Sequence, residues 1–263
     1  MANRLDKTFL NAKENSRAAL ITYIMAYVPD KNSSVRILDS LPGAGADIIE
    51  LGIPFSDPMA DGPIIEKAAN IALNNGAKLS GILEMVRDFR SRNKNTPIIL
   101  MGYYNPIQNY GIEDFCVDAT KSGVDGLLIV DLPIEEEADV KLAAEKNKLV
   151  WVRLVTPTSS DARIKKLVKS ASGFVYYVAV AGVTGTTSAT TNSIKEAIIR
   201  IKEYTNLPIA VGFGIKNISD VKEVSKHADA VVVGSAIVKE TMNTNGDVSS
   251  LVSGLAEGLI RSV

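Results

Sequence analysis

Gly45-Ala-Asp-Ile-Ile-Glu-Leu-Gly-Ile-Pro-Phe-Ser-Asp-Pro-Met-Ala-Asp-Gly-Pro63 passes from an apolar run, Asp47 to Gly52, through turn residues to a proline suited to the first position of a helix. The run does not alternate cleanly with polar residues, so it reads as a strand covered on both faces, as in a parallel sheet with helices packed on it. Working outward, similar runs occur at Ala19 to Ala26, Pro97 to Tyr103, Asp125 to Val130, Leu149 to Val155, Gly173 to Val180, Leu207 to Gly212 and Asp229 to Val233. Segments of helical periodicity separate them, such as Val35, Ile37, Leu38 and Leu41, or Ile164, Leu167 and Val168. Eight such repeats predict an α/β fold, a single (β/α)8 TIM barrel over residues 1–263, and that length is ordinary for the class. Additional helices are expected at the N-terminus (Arg4 to Asn15), between the second and third strands (Pro63 to Asn75 and Ser80 to Asn93) and at the C-terminus (Val248 to Ile260). The competing architecture, an open doubly wound sheet, usually carries a Gly-rich turn after its first strand, where this chain has Tyr27-Val-Pro-Asp.

Composition narrows the function. The formal net charge is -1 and no Lys/Arg run forms a basic footprint, which favours a small-molecule ligand over nucleic acid or an anionic membrane. The apolar stretch Ala18 to Val28 ends at Pro29, short of the roughly 20 residues of a membrane span. Met1 to Leu10 lacks the order of a secretory signal, so the cytoplasm is the expected compartment. One cysteine, Cys116 in a helix-like stretch, rules out an internal disulfide and reads as a buried apolar residue. One histidine, His227, precedes a strand instead of following it, which is the wrong end for barrel chemistry.

Glu50 lies near the C-terminal end of the second strand and shares a facing direction with Ile48 and Gly52. If that direction is inward, burial should raise its pKa toward the range where a carboxyl both gives and takes protons near neutrality. The alternative is a glutamate paired with a barrel arginine or lysine. Asp61, ahead of Gly62-Pro63, and Asp57, ahead of Pro58, read from their surroundings as turn or capping residues. Val211-Gly-Phe-Gly-Ile and Val233-Gly-Ser-Ala-Ile follow the last two strands and are expected to open into helices, where backbone N–H groups can cradle a phosphate. The small polar segment from Ala181 to Asn192 suits a lid or a plain surface loop. Of Tyr176 and Tyr177, one should face the barrel and the other the helices. No lysine sits in the later half of a strand, which disfavours Schiff-base chemistry.

The stretch Glu50 to Pro63 resembles the signature of tryptophan synthase alpha chains, and Met101-Gly-Tyr-Tyr-Asn-Pro, Asp131-Leu-Pro, Gly182-Val-Thr-Gly, Gly212-Phe-Gly-Ile and Gly234-Ser-Ala-Ile-Val-Lys follow in that family's order. The resemblance implies a lyase that cleaves indole-3-glycerol phosphate to indole and glyceraldehyde 3-phosphate, without cofactor or metal in this chain. It implies Glu50 as the acid/base, Asp61 as the carboxylate that stabilises positive charge at the indole nitrogen, and Tyr176 as a supporting tyrosine. Tyr23, Met101, Tyr103, Leu128 and Val130 would line the indole pocket. Gly185, Gly214, Gly234 and Ser235 would hold the phosphate, and Thr184 would hold the loop aspartate when a lid closes. A pyridoxal-phosphate beta subunit, joined in an alpha2beta2 assembly and fed indole through a tunnel, would dock on loops containing Pro54, Asp57, Asn105 and Pro106. Ala179-Val-Ala departs from the polar residues usual there and offers fewer side-chain hydrogen bonds to a closing lid, so looser lid closure and weaker coupling to the partner are expected. Other readings are a stand-alone lyase, a mainly allosteric partner of the beta subunit, or a sugar-phosphate isomerase or epimerase, whose metal-dependent forms want more histidines than one.

Overall fold

A computed structural model of the chain describes residues 3–179, 191–212, 214–215, 217–243 and 247–259. Each run expected as a strand forms one: β1 (Ala19–Met25), β2 (Ile48–Gly52), β3 (Ile98–Gly102), β4 (Gly126–Ile129), β5 in two segments (Val150–Trp151 and Arg153–Val155), β6 (Val175–Val178), β7 (Ile209–Gly212) and β8 (Ala230–Val233). All pairings are parallel, and β8 returns to pair with β1. The first segment of β5 pairs with β4 and the second with β6. Only Val152 separates the segments, and its N–H donates to the Leu127 carbonyl at 3.0 Å. The sheet therefore closes on itself, and its nine segments are the eight strands of a (β/α)8 barrel.

Alternation along each strand sorts the side chains into two cores. Ile21, Ile48, Ile99, Leu128, Val152 and Ala210 fill the barrel interior. Their strand neighbours Leu20, Ile49, Leu100, Leu127 and Val211 pack outward against the helices, so each strand is apolar on both faces because both are covered. Tyr177 belongs to the outer core and Tyr176 packs against the inner one, which settles the choice between them.

Helix α1 (Arg4–Glu14) closes the bottom of the barrel. Asn3 and Asp6 form a capping box that satisfies donors at its start. Leu5, Phe9 and Ala12, spaced for one helical face, are buried in the inner core, with the Phe9 ring 5.8 Å from that of Phe174. Burying two such large side chains stabilises by roughly 1.5–3 kcal/mol each. The floor is sealed, so a ligand enters from the opposite mouth.

The other helices in order are α2 (Lys31–Ser40), α3 (Pro63–Asn74), α4 (Leu79–Arg92), α5 (Tyr104–Tyr110), α6 (Ile112–Ser122), α7 (Ala138–Lys146), α8 (Asp161–Ser170), α9 (Thr191–Lys202), α10 (Ile218–Ser225), α11 (Ser235–Asn243) and α12 (Ser249–Ala256). The extra helices expected at the N-terminus, between β2 and β3 and at the C-terminus are present as α1, α3 with α4, and α12. The β3–β4 connection holds one more: Gly111, at φ 98°, turns the chain between α5 and α6, a conformation open to glycine. Cys116 is buried on α6, and His227 precedes β8 at the bottom of the barrel. Among the described residues no helix is long and apolar enough to cross a membrane.

Candidate active site

Inward alternation on β2 carries Glu50 into the barrel, between Tyr23 of β1 and Ile99 of β3 in the strand register. It is 0% exposed, and neither carboxylate oxygen has a hydrogen-bond partner. No arginine or lysine among the described residues forms an ion pair with it. An ionised carboxylate is costly in such surroundings, so burial pushes its pKa up from 4.5 to about 8. At neutral pH it holds a proton that it can release and regain.

Above Glu50, a cavity of about 680 Å³ opens at the C-terminal mouth. Tyr23 and Tyr176 line it, both phenols pushed well above their ordinary pKa by burial, with the nearby Glu50 charge adding to the effect. Two glycines make room for them. A Cβ on Gly52 would stand 2.3 Å from the Tyr23 hydroxyl, and one on Gly212 would stand 2.1 Å from that of Tyr176.

Asp61 enters the same cavity from the β2–α3 loop, immediately before the Gly62 cap and Pro63 at the start of α3. Tyr103 steadies that loop: its ring lies 5.4 Å from Phe55, and its hydroxyl accepts the Ala60 N–H at 3.0 Å. Burial raises the Asp61 pKa, and the Tyr103 hydroxyl beside it offsets part of the rise. Gly214, Gly234 and Ser235 line the same cavity. After β8 the chain enters α11 directly at Ser235. After β7 it runs through a short loop to the Asn217 cap of α10, so only one of the two glycine segments opens straight into a helix.

Of the residues singled out in the sequence, the cavity brings together Tyr23, Glu50, Asp61, Met101, Tyr176, Gly214, Gly234 and Ser235. Tyr103 is buried behind Asp61. Leu128 is fully buried in the inner core, and Val130 lines a separate cavity of about 270 Å³ beyond it. Thr184, Gly185, Val180 and Ala181 lie outside the described residues, while Ala179 lines the cavity. On the rim, Asp57 and Asn105 are exposed and Pro106 half-buried, whereas Pro54 is buried and offers no surface of its own.

Known proteins supply the context for this arrangement. The family model described as tryptophan synthase alpha chain matches residues 9–257. The chain belongs to the tryptophan synthase alpha chain family. A tryptophan synthase subunit alpha from Legionella pneumophila str. Paris is 37% identical, with 98% of each chain covered and a TM-score of 0.91. A protein of Aquifex aeolicus VF5 is also 37% identical, over 99% of this chain and 100% of that one, at a TM-score of 0.92. A chain of Mycobacterium tuberculosis tryptophan synthase is 33% identical over the whole of both, at 0.91.

The cavity of this family member also contains residues that sequence reading passed over. Ile64 and Ile65 enter from the first turn of α3, Val178 from the end of β6, and Lys239 and Glu240 from α11. For one of them a signal was present: Lys239 lies four residues beyond Ser235, on one helix face.

Proposed function

We propose that Glu50 and Asp61 carry out, in this cavity, the alpha reaction of tryptophan biosynthesis: retro-aldol cleavage of indole-3-glycerol phosphate to indole and glyceraldehyde 3-phosphate. The observation that carries the reading is one inward carboxyl, buried and unpartnered, sharing a cavity with a second carboxylate. Glu50, protonated at neutrality, delivers its proton to C3 of the indole ring. The bond from C3 to the glycerol carbon then breaks, and its electrons restore the indole. The carbinol hydroxyl becomes the aldehyde, and its proton returns to Glu50, so the enzyme ends as it began.

Asp61, held on its loop beside Tyr103, stabilises the positive charge that C3 protonation places on the indole nitrogen. Tyr176 supports Glu50 from β6. Tyr23 and Met101 form the apolar surroundings of the ring, backed by Tyr103 behind Asp61 and by Leu128 in the core beneath, while Val130 borders the neighbouring cavity. Gly214, Gly234 and Ser235, with Gly185, receive the phosphate. Thr184 serves the lid. The chain acts as one barrel domain, in the cytoplasm, and passes indole to a beta subunit in an alpha2beta2 assembly, which docks around Asp57, Asn105 and Pro106, with buried Pro54 shaping the loop beneath.

The test is indole release from indole-3-glycerol phosphate, measured with and without a beta subunit. Cleavage that is slow alone and faster with the partner is expected. Absence of indole in both assays would sink the lyase reading, and indole with no change on adding the partner would favour a stand-alone lyase.

A further inference from the structure

We propose that Lys239 is a substrate-binding residue that supplies the counter-charge for the phosphate. The proposal rests on the reading above and extends it to a side chain outside the glycine segments. Helix α11 begins at Ser235, which lines the same cavity as Glu50 and Asp61. Its first-turn N–H groups have no partner within the helix, and they carry the positive end of its dipole. That feature is common to helix starts and by itself specifies nothing.

The second observation is the cavity's charge. Glu50, Asp61 and Glu240 are its acids, and Lys239 is the only lysine or arginine lining it among the described residues. Lys239 lies one turn beyond Ser235 on the same face, and long helical side chains lean back toward the N-terminus. Its ammonium is therefore carried toward Ser235, where the phosphate's oxygens would rest. No ion pair or hydrogen bond engages Lys239 among the described residues, although thirteen of the other lysines and arginines form ion pairs with acids. A phosphate ester brought into a cavity that holds Asp61 and Glu240 beside the protonated Glu50 meets repulsion from those two acids, and one unclaimed ammonium offsets part of it.

The phosphate is remote from the bond that breaks, so its contact should act on ground state and transition state alike. Kinetics with indole-3-glycerol phosphate on Lys239→Gln and Lys239→Arg test this, with inhibition by inorganic phosphate measured alongside. Lys239→Gln should raise KM and the phosphate inhibition constant about tenfold, equivalent to about 1.4 kcal/mol, with the loss falling on KM more than on kcat. Lys239→Arg should recover most of that loss, because it keeps the charge. The exposed position of Lys239 predicts an unchanged melting temperature for both. Unchanged KM and inhibition constant in Lys239→Gln would overturn the proposal, leaving Lys239 a solvated lysine. Equal loss in both variants with a lowered melting temperature would also overturn it, making the residue structural. If the unaltered protein cleaved nothing, the lyase reading would fail on its own, and calorimetric binding of inorganic phosphate to the unaltered protein and Lys239→Gln would still decide the role of Lys239.

Discussion

The two rims of the barrel treat carboxylates in opposite ways. At the bottom, Asp47, Asp125 and Asp229 each stand just before a strand, and each accepts the backbone N–H of the neighbouring strand: Leu20, Ile98 and Ile209, all at 2.8 Å. Each also meets a cation, Arg17 at 2.6 Å, Arg4 at 2.8 Å with Arg90 at 3.1 Å, and Lys202 at 2.7 Å. At the top, Glu50 is buried more deeply than any of these and has no partner at all. A fold that satisfies its acids repeatedly at one end and leaves one bare at the other reserves the bare one for a reacting molecule. The bottom rim holds register and stability, and the top rim holds chemistry.

The sharpest way to break this contrast is Glu50→Gln. It removes a proton carrier and no native hydrogen bond, so the protein should fold and lose about 10²–10⁴ of its cleavage rate, as measured by indole release. The same variant tests the burial argument through pH. The folded state holds a proton on Glu50 up to about pH 8, whereas the ordinary carboxyl loses it near 4.5. Between those values the folded state binds the extra proton, so stability falls as pH rises, by up to about 1.4 kcal/mol per unit. Glu50→Gln should flatten this slope in denaturant titrations between pH 5 and pH 8. An unchanged slope would mean that water or a counter-ion already solvates the carboxylate.

Asp125→Ala is the mirror experiment. It leaves the Arg90 guanidinium, itself buried and with its pKa lowered by burial to about 10, without its carboxylate. Breaking a buried pair by removing one partner costs roughly 3–5 kcal/mol, a loss that a lowered melting temperature would report. Cleavage per folded molecule should stay near that of the unaltered chain, since Asp125 is at the far end of the barrel. Comparable loss of kcat would erase the division between the rims.

These contrasts were only partly legible in the sequence. The eight strands followed from apolar runs, because packing on both faces writes itself into every residue of a strand. A period of two grouped Glu50 with Ile48 and Gly52, and the structure showed that this face is the inward one. The fold's one hidden division, α5 from α6, turns on the backbone of Gly111, which hydrophobic periodicity does not record. Asp61 looked like an ordinary turn residue, because Asp-Gly-Pro serves a turn whether or not the carboxylate meets a ligand. Its membership of the site came from resemblance and from the cavity, not from local pattern. The bottom acids were likewise silent: an aspartate ahead of a strand gives no sign of the arginine, distant in sequence, that will meet it.

The smallest expected effect refines the bottom rim itself. Lys202 and Asp229 are each 36% exposed at the side chain, whereas Arg90 and Asp125 are 8% and 6% exposed. Water already screens the Lys202 pair, and Asp229 keeps its bond from the Ile209 N–H when the lysine is gone. Lys202→Met should therefore cost no more than about 1 kcal/mol, and the difference should shrink further in high salt, as followed by chemical denaturation. If it cost as much as Asp125→Ala, the rim would be stabilised by charge at each strand entry irrespective of burial. A small, salt-sensitive loss instead would place the strength of the bottom rim in its buried pair and in the strand N–H bonds, the two features that Glu50 lacks.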